Sequence, residues 1–205
     1  MVADSVRAQA VEALTTARAR GCRLPMVPFN MGVVRMDQQQ WGAAVAELRA
    51  AAAADQALNL EPAEHVNGGN LYNMLGLALQ HDTNTPGSLQ ESVRMYEEGI
   101  RLFPDRFELY ANGGSAALDA LDAQRSLNWF QAGLRLQPTS PELLNNLGLL
   151  YDRAAGDHAA EALHYYEHAL SLLPDHPQIQ QNVRNAHNAV SQQKQRQQEQ
   201  REGQP

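Results

Sequence analysis

The side chains best suited to recognising a ligand are asparagines that recur at regular intervals. Four glycines, which we call the marker glycines, divide the chain into similar segments: Gly32, Gly76, Gly114 and Gly148. An asparagine lies two residues before three of them. An asparagine side chain carries a donor and an acceptor, so a row of them can hold the N–H and C=O groups of a peptide backbone. The alternative is that these amides bond neighbouring helices. The candidate binding residues are Asn30, Asn70, Asn73, Asn112, Asn145, Asn146, Gln181 and Asn182.

A second chemical candidate is a metal site on one helical face. Glu161, His164 and His168 are spaced by three and four residues, which would bring them together on a helix and suit zinc. The sequence contains one such cluster, and no distant residue supplies a fourth ligand. We therefore interpret these histidines as part of a solvated helical face. No phosphate-binding glycine loop and no nucleophile beside a base stands out in the sequence. The sequence therefore predicts no catalytic residue, no metal and no cofactor. Cys22 is the one cysteine, and we interpret it as a free thiol.

Composition narrows the class of protein. The chain has 205 residues, of which 43% are hydrophobic, and a formal net charge of −7. Abundant alanine, leucine and glutamine favour helices over strands. No dense Lys/Arg cluster is present to neutralise phosphates, which opposes nucleic-acid binding. No apolar run approaches a membrane span, and the N-terminus lacks an apolar signal region. A cytoplasmic location is expected, with an organelle lumen after import as the weaker alternative.

The helices that would position the asparagines are best read from residues 141–174. There Leu147-Gly148 precedes Tyr151, and Ala162, Tyr166 and Ala169 follow at spacings of four and three before Pro174. This segment resembles a tetratricopeptide repeat (TPR), in which small residues allow two helices to approach closely. The register recurs: the proline follows Ser92, Ser126 and Ala162 at the same interval. The predicted boundaries are 1–24 for a degenerate half repeat, 25–57, 69–104, 105–138 and 139–174 for four repeats, 58–68 for a loop, 175–191 for a capping helix and 192–205 for a disordered Gln-rich tail.

The resemblance implies an all-α, right-handed superhelix of about ten antiparallel helices, with a concave groove lined by the first helix of each pair. The asparagine row is similar to the asparagine ladder in the repeat domains of O-linked N-acetylglucosamine transferases. The groove is then expected to hold an extended peptide or a helix of a partner protein.

The family's chaperone-binding members carry a clamp of Lys and Arg that grips a C-terminal carboxylate. The corresponding positions here carry no cation, so that clamp is not expected: Met26, Asn70, Glu108, Glu142, Asn145 and Gln181. We predict a non-catalytic adaptor or scaffold. The alternatives are a structural subunit that contacts its neighbours through helix faces and loops, and an auxiliary subunit of an enzyme complex.

Overall fold

The computed structural model describes residues 2–22, 24–57, 69–154 and 158–202. Within these ranges the chain forms ten α-helices and no β-strand, which confirms the expected all-α class. The loop predicted at 58–68 lies outside the described residues. The helices are α1 Val2–Ala19, α2 Met26–Asp37, α3 Trp41–Ala57, α4 Asn70–His81, α5 Ser88–Leu102, α6 Phe107–Asp119, α7 Ala123–Leu136, α8 Pro141–Arg153, α9 Ala159–Leu172 and α10 Pro177–Glu202.

The chain divides into two compact units, Met1–Ala116 and Ala117–Pro205. In the first unit α1 packs on α2, α2 on α3, α3 on α4, and α4 on α5. In the second unit α7 packs on α8, α8 on α9, and α9 on α10. Each interval predicted to be a repeat holds two helices. Both units are therefore built by stacking neighbours along the sequence.

The N-termini of α8 and α5 differ in how a serine is used. Ser140 caps α8, because its hydroxyl accepts a hydrogen bond from the backbone N–H of Leu143 at 3.3 Å, and Pro141 occupies the first turn. Ser88 followed by Glu91 has the spacing of a capping box, which would predict that Ser88 caps α5, but it makes no such cap. The Ser88 hydroxyl instead donates to the carbonyl of Asp82 at 2.6 Å and is buried. Satisfying that buried carbonyl in the preceding turn outweighs capping the helix.

The C-terminal boundary at 191 is also wrong, since α10 continues without a break to Glu202. The predicted disordered tail is thus helical over 192–202, and residues 203–205 lie outside the described part. Hydrophobic periodicity stops near Val190, which is why the sequence suggested an end there. The residues that follow, QQKQRQQEQRE, are nevertheless strong helix formers and include no glycine or proline.

At Gly32, Gly76 and Gly148 the two helices of a pair lie close together. A methyl group added at Gly76 would lie 2.6 Å from the Tyr96 ring, and one added at Gly148 would lie 2.5 Å from the Tyr166 ring. Both tyrosines are fully buried. A buried ring has little room to move aside, because protein interiors are close-packed. These positions consequently admit only glycine without displacing the neighbouring helix.

We expect Gly76→Ala to destabilise the first unit by about 1–3 kcal/mol, because overpacking exceeds the gain in helix propensity. Gly42→Ala is the matched control: its added methyl group would meet nothing closer than an Asp82 oxygen at 3.8 Å. That variant should gain up to about 1 kcal/mol. Urea unfolding followed by circular dichroism measures both. Equal stabilisation by the two substitutions would contradict the packing account.

Alkaline pH should unfold the protein through its buried tyrosines. Burial raises the pKa of Tyr96, whose hydroxyl has no hydrogen-bond partner among the described residues. Burial, followed by the nearby Asp152 carboxylate, raises the pKa of Tyr166. An acid whose pKa is raised by folding contributes stability that is complete below its unfolded pKa, about 10, and is lost above it.

Helicity should therefore fall as the pH rises past about 10, together with a late rise in tyrosinate absorbance. The measurement is a parallel titration by circular dichroism and ultraviolet absorbance. Ordinary titration of all six tyrosines in a protein that stays helical would refute this expectation.

Candidate protein-binding residues

In the first unit, two of the predicted residues are bonded to each other across helices. The Nδ2 of Asn112 on α6 donates to the Oδ1 of Asn73 on α4 at 2.8 Å. Asn73 is buried, with 8% of its surface exposed, and Asn112 is half-buried. A buried amide without a partner would cost roughly 1–3 kcal/mol, so this bond matters for the stack of first helices.

The second unit repeats this arrangement in the same register. The Nδ2 of Asn182 on α10 donates to the Oδ1 of Asn145 on α8 at 2.8 Å. Asn182 also accepts from Gln178 at 3.0 Å. Both accepting asparagines, Asn73 and Asn145, lie three residues before a marker glycine. Each unit thus contains a pair of asparagines bonded across two helices, which we call the amide pair, and the later asparagine in the chain donates to the earlier one.

The pairs leave hydrogen-bonding capacity unused. An asparagine amide has two N–H donors and an oxygen with two lone pairs. The bond between Asn112 and Asn73 uses one donor of the former and one lone pair of the latter. Within the described residues, the oxygen of Asn112 and the amino group of Asn73 make no further hydrogen bond. Bonding between helices and contact with a peptide are therefore compatible.

The other candidates have varied surroundings. Asn30 on α2 and Asn146 on α8 are half-buried. Asn70 accepts from the Nη2 of Arg106 at 3.2 Å. Gln181 is exposed; it donates to Asn185 at 2.9 Å and accepts from Arg184 at 2.8 Å.

Arg106 is a residue that the sequence analysis missed. Its Nε lies 3.6 Å from the Glu108 carboxylate, and its guanidinium donates to Asn70, so a cation lies beside two of the positions that correspond to the family's clamp. It was missed because it precedes α6 and falls outside the helical register. An arginine two residues before Glu108, at the start of the helix, was the available signal.

Apolar side chains accompany the asparagine on α2. Met26, Asn30 and Val33 are spaced by four and three, which places them on one helical face. Met26 is 40% exposed and Val33 is 38% exposed. The first unit thus combines amide groups with accessible apolar surface.

The candidate metal cluster has no metal-site geometry. The described residues contain no group of three His, Cys, Asp or Glu side chains that could hold a metal ion. Glu161 lies 3.4 Å from His158, and His164 packs edge-on against Tyr165. Backbone hydrogen bonding, followed by the bond with His158, lowers the pKa of Glu161. Cys22 is half-buried and free.

None of the helices that the structure describes combines the length and the apolar character that crossing a membrane requires.

Comparison with known sequences finds proteins that are similar to part of this chain. No family model matches the sequence. The photosystem I assembly protein Ycf3 of Prochlorococcus marinus (strain NATL1A) is 34% identical over 86 residues, which cover 40% of this chain and 47% of that protein. Ycf3 of Cyanophora paradoxa is 29% identical over 105 residues, covering 43% and 60%. The chain spans about half the length of the curated relatives that it matches.

Solved structures match over most of the chain. MamA has a TM-score of 0.63 at 17% identity, covering 82% of each chain. YrrB, described as a TPR protein with an unusual peptide-binding site, has a TM-score of 0.68 at 16% identity, covering 91% and 86%. A thermophilic TPR protein of Thermus thermophilus has a TM-score of 0.64 at 17% identity, covering 90% and 94%. At these identities the likeness concerns the fold.

The amide pair should show energetic coupling. We expect Asn73→Ala and Asn112→Ala to couple by about 0.5–1.5 kcal/mol in a double-mutant cycle, because each single change leaves a buried or half-buried amide without its partner. The control pair is Gln124 and Asn128, exposed on α7 and bonded at 3.1 Å. Its coupling should be about 0.2–0.5 kcal/mol. Chemical unfolding measures both coupling energies. A coupling energy between Asn73 and Asn112 no larger than that between Gln124 and Asn128 would show that the amide pair does not stabilise the stack.

Proposed function

This chain has the tetratricopeptide repeat fold, and from that premise we propose that it is a non-catalytic adaptor that binds an extended peptide or helix of another protein. The binding residues of the proposal are the eight predicted on the first helices and α10. In the first unit these are Asn30, Asn70, Asn73 and Asn112. In the second unit they are Asn145, Asn146, Gln181 and Asn182.

The observation that carries the proposal is the amide pair that recurs once in each unit. Each pair holds its two side chains in a fixed orientation while leaving donors and acceptors unused. Preorganised amides lose little side-chain entropy when they bind a ligand backbone. The exposed Met26 and Val33 add apolar contact for the ligand's side chains.

The comparisons support the same proposal. The solved relative YrrB is described as having a peptide-binding site. The partial relatives are named for the assembly of photosystem I, and assembly requires contact with other proteins. A formal charge of −7 disfavours nucleic acid as the ligand. Glu108 and Glu142 favour a neutral or mildly basic segment over a C-terminal carboxylate.

A second candidate is a structural subunit that contacts its neighbours through turns and helix faces. It is favoured by Leu121, which is 92% exposed in the turn between α6 and α7. Its φ of 62° is unusual for a residue other than glycine. A leucine with a positive φ destabilises the folded state, and its large apolar side chain is exposed to water. Both costs would be offset if a neighbouring subunit covered it.

One affinity-capture experiment distinguishes these two functions. A variant carrying Asn112→Ala, Asn146→Ala and Asn182→Ala should bind its partners at least about tenfold more weakly, since each lost hydrogen bond is worth about 0.5–1.5 kcal/mol. The matched control is Asn128→Ala, an exposed asparagine on the second helix α7, which should bind normally. Circular dichroism verifies that each variant is folded.

The Leu121→Asn variant tests the structural-subunit function, because asparagine tolerates a positive φ and the substitution removes the apolar side chain. The adaptor proposal expects this variant to bind normally. If Leu121→Asn lost its partners while the triple asparagine variant bound them fully, the adaptor function would be contradicted and the structural-subunit function supported.

A further inference from the structure

The part of α10 beyond residue 191 forms one wall of a small cavity in the second unit. The cavity has a volume of about 170 Å³. Tyr151 and Asp152 at the end of α8 form one side, and His158 and Ala159 at the start of α9 form another. The third side is α10, through Ala189, Gln193 and Arg196. Two of these residues belong to the segment that the sequence suggested was disordered.

The cavity has a rigid aromatic side. Tyr151 stacks on Tyr165, with 5.5 Å between the ring centroids and an interplanar angle of 10°. The ring centroid of His158 lies 6.0 Å from that of Tyr151. Stacked rings of this kind have few accessible rotamers. Ala159 and Ala189 are too small to fill the space in front of them. The walls are thus fixed by packing around a space that their own side chains leave open.

Two opposite charges line the cavity, one from each of two helices. Asp152 comes from α8 and Arg196 from α10. Within the described residues, the only hydrogen bond to the Asp152 side chain is a long one, 3.4 Å, from the hydroxyl of Tyr166. Arg196 has no ion pair there. The adjacent cation, Arg153, is held by Asp119 at 2.9 Å, and His158 is held by Glu161 at 3.4 Å. Neither neighbour neutralises the two groups.

We propose that this cavity binds a free α-amino acid, with the ligand carboxylate on Arg196 and Gln193 and its ammonium group on Asp152. A guanidinium presents a fork of donors that matches a carboxylate, and the Gln193 amide adds one more donor. Pockets for drug-sized ligands have volumes of about 300–1,000 Å³, so a cavity of about 170 Å³ fits a much smaller molecule. A zwitterion satisfies both unpaired charges at once, which an anion or a cation alone does not.

The test uses L-alanine as the probe and the full chain labelled with ¹⁵N. Titration to about 20 mM should shift the backbone amides of Asp152, Ala159 and Gln193 in a saturable manner. Acetate and methylammonium, which each carry one of the two charged groups, should bind at least about tenfold more weakly. Absence of saturable shifts with L-alanine, or equal binding of acetate, overturns the proposal.

Three variants assign the contacts. Arg196→Gln and Asp152→Asn should each weaken L-alanine binding at least about tenfold, because charge-assisted hydrogen bonds are the strong ones. Arg184→Gln is the control, since Arg184 is exposed on the same helix and bonds Gln181 outside the cavity. Equal binding by all three variants overturns the assignment.

Asp152 and Arg196 could instead form a purely structural ion pair. In that case the two substitutions would couple in a double-mutant unfolding cycle, while wild-type protein would show no saturable shifts with L-alanine. That combined result also overturns the proposal, and it leaves the adaptor function untouched.

Discussion

The close approach of two helices at Gly32, Gly76 and Gly148 is the constraint on which the rest of the structure depends. Gly76 lies against Tyr96, Gly148 against Tyr166, and Gly32 against Leu48 in the same way. Because the large partner is fully buried each time, the separation of the two helices is set by a contact that tolerates no added atom. Fixing this separation also fixes which side of the first helix is available for polar groups.

The asparagines occupy that remaining side. Asn73 and Asn145 lie almost one helical turn before a marker glycine, where they reach the next first helix, or α10, rather than the partner in their own pair. The hydrogen bonds between asparagine side chains therefore link one repeat to the next or to α10. The contacts at Gly32, Gly76 and Gly148 hold together the two helices of a repeat. A side chain that joins repeats in this way can also contact a ligand, since its unused donors and acceptors remain available.

Sequence reasoning succeeded where the cause is local and periodic. The helix pairs and the glycines at helix crossings, such as Gly76 and Gly148, follow from spacing and residue type. It failed where the outcome depends on contacts distant in sequence or on a weak local signal. Arg106 reaches Asn70 from outside the register, and Ser88 bonds a buried carbonyl rather than its own helix. Residues 192–202 remain helical through propensity after hydrophobic periodicity has ended.

Site-specific photo-cross-linking tests the central claim, that partners bind the asparagine-bearing helices, without removing any asparagine. A photoreactive residue at Glu142, exposed on α8 one turn before Asn146, should cross-link to a partner protein. The same residue at Gln124, exposed on the second helix α7, should not. Cross-links from position 124 with none from position 142 would contradict the account and place the binding surface on the second helices.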